Sequence, residues 1–67
     1  MNISNLQKVL KIVSKYVDAD KAWCEAQHDI IFLPLHNNID VSMEDQEELR
    51  LLGAHEDSEG DCWAVFT

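Results

Sequence analysis

AWCEAQHDIIFLPL, residues 22–35, is the stretch whose reading decides the fold. Its second half carries the apolar run Ile30-Ile31-Phe32-Leu33, which is β-prone and closed by Pro34, a residue with no N–H to give a ladder. Its first half, Ala22 to Gln27, has the propensity to continue as helix. A buried strand at 30–33 needs a partner, however, because its backbone polar groups must be satisfied. His28-Asp29 supplies turn-forming residues between the halves. A hairpin turning at 28–29 is therefore the preferred reading, with helix at 22–27 as the alternative.

Outward from this stretch the chain is better punctuated. Ile3, Leu6, Val9, Leu10, Ile12, Val13, Tyr16 and Val17 recur at three- and four-residue spacing, with Lys8, Lys11 and Lys15 on the opposite half of the wheel. That predicts a helix over about 4–17, capped by Ser4 with Gln7 in a capping box and closed by the turn formers Asp18-Ala19-Asp20. Residues 36–40 read as a loop. Ser42 then caps a second helix over about 43–52, with Glu44 and Asp45 at its positive end, Arg50 in its last turn and Gly53 as its left-handed stop. Met43, Leu49 and Leu52 form its apolar stripe, and Asp45, Glu47 and Glu48 are expected to face water. The tail reads as a second hairpin, with arms 54–56 and 61–66 around a turn at 57–60. Alternation puts Cys62, Ala64 and Phe66 on one face of the long arm and Trp63 and Val65 on the other. The order helix, hairpin, helix, hairpin predicts an α+β fold: one domain, 1–67, with two helices on one face of a small three- to four-stranded antiparallel sheet.

The charge is strongly segregated. All four lysines lie in the first 21 residues, against two aspartates; residues 22–67 carry Arg50 alone against eleven carboxylates. The first segment is therefore +2 and the second −10. Such a surface repels membranes and nucleic acid and favours cationic partners. Three lysines on one helix would have to overcome the negative remainder for direct nucleic-acid binding, which is not expected. No apolar run is long enough to span a bilayer, and no basic-then-apolar leader follows Met1. The chain reads as a complete cytoplasmic protein with reduced cysteines.

Candidate chemistry is sparse. Cys24, His28, His55 and Cys62 are the one metal-like set, but Cys-x3-His with His-x6-Cys departs from the spacing of structural zinc sites. Zinc is a minor alternative, and the expectation is no cofactor. The acidic run 55–61 has Gly60 too early, and a strand after it, for an EF-hand calcium loop. No serine sits in a nucleophile elbow, and nothing orients Cys24 and His28 as a catalytic pair, so no enzyme is expected. Trp63 is expected in the core; Trp23 is the candidate interface anchor.

The stretches HDIIFLP (28–34) and LGAHEDSEGDCWAVF (52–66) resemble short proteins encoded in phage and prophage genomes. Those often end in a similar order: leucine-glycine, aromatic or histidine, acidic turn, tryptophan, aromatic. The resemblance implies an accessory or host-interacting protein. The functional expectation is a protein-interaction module that docks a basic partner through Glu56, Asp57, Glu59, Asp61 and Trp23 together with the exposed sheet face. A second copy of the chain is the other candidate partner, since the lysine stripe could meet the acidic turn. DNA mimicry, with carboxylates occupying a nucleic-acid-binding groove, is the alternative from a different class.

Overall fold

Asn2, not Ser4, starts the first helix. In the computed structural model its side-chain oxygen accepts from the Asn5 N–H at 2.7 Å, so α1 spans Ile3–Val13 and Ser4 lies inside it. Residues 1–36, 39–57 and 61–66 are described. The helix ends four residues before the expected boundary because local bonds compete with its ladder. Ser14 Oγ donates to the Leu10 carbonyl at 2.7 Å, and Lys15 and Tyr16 close tightened turns onto Ile12 and Val13, both at 3.0 Å. Asp18 finishes the stop, accepting from the Asp20 N–H with its side chain and from Ala22 with its carbonyl. Val9, Ile12 and Val13 are buried, whereas Ile3 and Leu10, apolar at helical spacing, stay exposed.

The hairpin reading of 22–35 holds: β1, Glu25–Gln27, pairs antiparallel with β2, Ile30–His36, across a two-residue turn. His28 takes a left-handed φ of 56° there. The strand does not stop at Pro34. It runs on to His36, and an irregularity in its pairing between Phe32 and His36 absorbs the proline's missing donor.

Helix α2, Met43–Leu51, matches its punctuation, with Ser42 accepting from the Asp45 N–H at 3.2 Å. Gly53 follows at φ 101° and donates to the Arg50 carbonyl at 3.1 Å. Replacing Gly53 by alanine is expected to cost about 1–2 kcal/mol, because a Cβ disfavours this backbone region; urea unfolding measures it. Leu49 and Leu52 face the core, but Met43 is exposed and takes no part in the stripe.

Asp45 is also placed differently from expectation. It is half-buried, accepting from the Tyr16 hydroxyl and from Lys15 Nζ at 3.2 Å, while the Tyr16 oxygen accepts from the Ser42 N–H at 3.2 Å. This cluster pins the turn that follows α1 to the start of α2, and it engages Lys15 within its own chain. The Tyr16 bond first, then Lys15, hold the Asp45 carboxyl below the usual aspartate value. A group held low stabilises the fold above its unfolded value of about 3.9 and stops doing so as the pH falls through its lower folded value. Asp45→Asn should therefore melt below the wild type at pH 7, with the gap closing below about pH 4. A gap that stayed constant down to pH 2 would refute the linkage.

β3, Ala54–Asp57, and β4, Cys62–Phe66, complete an antiparallel sheet ordered β1-β2-β4-β3. Because β4 pairs antiparallel with both neighbours, β2 and β3 run parallel to each other on either side of it. The β2–α2–β3 connection is thus a split βαβ unit. Both helices pack on the same side, where Val9, Ile12, Leu33, Leu35, Leu49 and Trp63 share one core.

Candidate functional site

The pleat that sends Leu33, Leu35, Trp63 and Val65 towards the helices sends their neighbours to the other side. The ladder pairs Phe32 with Ala64, Ile30 with Phe66 and Glu25 with Phe32, so these residues share the face that no helix covers. His55 pairs with Ala64 from the far side and stacks on Phe66, ring centroids 4.7 Å apart and nearly parallel at 16°. Phe66 remains 53% exposed and Trp23, just before β1, 83% exposed. This exposed aromatic surface is the candidate contact site, since large apolar patches are uncommon on the surfaces of small domains.

At one end this face deepens into an open groove of about 580 Å³. Trp23, Glu25, Gln27, Phe32, Pro34 and Cys62 line it. Cys62 is buried, and burial pushes its thiol up from the usual cysteine value. The carboxylates of Asp57, Asp61 and Glu25 push it further in the same direction. Such a thiol is a poor nucleophile, since the thiolate is the reactive form. The potential that suppresses the thiolate favours a cation.

The acidic residues singled out from sequence are not one surface. Asp57 pairs with Cys62 on the open side, while Glu56 pairs with Trp63 on the helix side. There Glu56 accepts from Arg50 Nη2 at 3.0 Å, and the Arg50 guanidinium lies 5.3 Å from the Trp63 ring centroid. Asp61 is exposed with φ 54°, in the turn just before β4. Glu59 lies outside the described residues. Trp23 is an exposed aromatic beside the groove; Trp63 is core, 5% exposed.

The metal-like set is not brought together. Cys24 and His28 flank the β1 edge and His55 sits on β3, the opposite edge, with two strands between them. Among the described residues no three His, Cys, Asp or Glu side chains are placed to hold a metal ion. Both cysteines are free thiols. Among the described residues no helix is long and apolar enough to cross a membrane.

Reading the sequence missed Glu25, Gln27, Phe32 and Pro34. The signal was the period-two alternation through 30–35, which an all-apolar run conceals. No family model, no curated protein and no solved structure matches this chain.

Proposed function

We propose that this protein is an interaction module of the accessory or host-interacting kind, acting in the cytoplasm by contact rather than by catalysis. It docks a partner protein with a cationic surface onto the open face of its sheet. One observation carries the reading: the helices cover a single side, and the other side combines exposed aromatics with carboxylates and holds no lysine or arginine on its strands. Exposed tryptophan and phenylalanine supply anchors; Glu25, Asp57 and Asp61 supply the negative field that would steer a basic partner. The thiol pushed up at the groove floor argues against nucleophilic chemistry there.

Affinity capture with immobilised variants tests this. A partner that the wild type retains at low salt should be released at about 0.45 M, where the screening length falls below about 5 Å. Phe66→Ser and Glu25→Lys, both at exposed positions, should each lose it while melting like the wild type. A partner held equally by all three proteins would overturn the docking face. A DNA-binding protein lost on reversing Asp57 and Asp61 but indifferent to Phe66→Ser would put DNA mimicry in its place.

A further inference from the structure

Two cross-strand pairs of aromatic and carboxylate stand on opposite sides of this sheet. On the helix side Trp63 faces Glu56 across β4 and β3; on the open side Phe32 faces Glu25 across β2 and β1. The chain itself shows what the first pair takes. Arg50 lays its guanidinium 5.3 Å from the Trp63 ring centroid and donates to Glu56 at 3.0 Å. Cation–π attraction and a charge-assisted bond are satisfied by one planar group. The second pair sits in the groove of about 580 Å³, with the exposed Trp23 added as a further aromatic plane and no lysine or arginine in the lining.

Resting on the docking reading above, we infer that this groove receives an arginine side chain projected by the partner protein, its guanidinium between Trp23 and Phe32 and its charge on Glu25. The dimensions suit this. Grooves of about 300–1,000 Å³ accept small ligands, so one long side chain and the backbone that carries it have room. The field suits it too, because Glu25, Asp57 and Asp61 all act on the groove floor in the same sense. Arginine fits better than lysine on chemical grounds. A planar, weakly hydrated guanidinium stacks on indole and keeps edge N–H groups for a carboxylate, whereas an ammonium is a strongly hydrated point charge.

The test uses the whole chain and a minimal ligand. Nitrogen–proton spectra are followed while acetyl-arginine-amide is added at low salt, beside acetyl-citrulline-amide, which has nearly the same shape without the charge. The expected result is saturable movement of the Trp23 indole N–H and the β1 amides, half-complete in the ~millimolar range appropriate to a single side chain. The Trp63 indole should stay still. Glu25→Gln should weaken binding about two- to five-fold, as loss of an exposed ion pair does. Trp23→Ala should abolish it. Equal movement with citrulline would overturn the inference, as would an unsaturating drift across all the acidic amides. Failure here while Phe66→Ser still releases the captured partner would remove the arginine groove and leave the docking face. Arginine binding with capture unaffected by Phe66→Ser would remove the docking face alone.

Discussion

Trp63→Ala is expected to remove about 3–5 kcal/mol of stability and to bring this domain to the edge of unfolding at 25 °C. The side chain is 5% exposed on the helix-facing side of a central strand and belongs to the same core as residues of both helices. Truncating a buried tryptophan costs about 3–5 kcal/mol, the transfer of the ring plus the cavity left behind. A chain of 67 residues has roughly 3–10 kcal/mol in total, at the usual stability per residue. Arg50 would lose the ring beneath its guanidinium as well. The expected observation is a urea midpoint shifted far below the wild type's, with a native plateau that is shortened or lost. Trp63→Phe, which keeps an aromatic ring under Arg50, should retain a cooperative transition at a lower midpoint. An alanine variant unfolding with a wild-type midpoint would mean that the two layers are held together by something other than this core.

How much of this arrangement can be read from the chain depends on the distance over which each choice is made. Helix α2 was legible because its signals are local: Ser42, Glu44, Asp45 and Gly53 act on backbone groups within one turn of themselves. At the start of α1 the expected cap, Ser4, lies inside the helix, and Asn2 takes its role two residues earlier. The run of β2 beyond Pro34 was not legible, because the pairing irregularity that admits the proline is defined by β4, nearly thirty residues on. The Lys15–Asp45 contact joins residues 30 apart, and Asp45 viewed alone is an ordinary first-turn acid. The candidate site divides in the same way. Alternation along β4 divides its side chains between two faces, and only packing against the helices decides which face stays open. The separation of Glu56 from Asp57, and the pairing of Glu25 with Phe32, exist only once the register is fixed.

The second tryptophan should behave in the opposite way. Trp23→Ala is expected to leave stability within about 0.5 kcal/mol of wild type, since little apolar area is taken from water by a side chain that is 83% exposed. Its effect should fall on the partner. A central aromatic anchor is worth about 2 kcal/mol or more on truncation, which is roughly a thirty-fold loss of affinity. Calorimetric titration of the captured partner against both proteins, at one low salt concentration, makes the comparison. A loss below about three-fold would move the anchor away from the groove, towards Phe66 and Ile30 at the far end of the face. A full loss with unchanged melting would separate the two tryptophans by role. One, held by the helices, would then govern whether the chain folds; the other, on the side they leave uncovered, would govern what the folded chain holds.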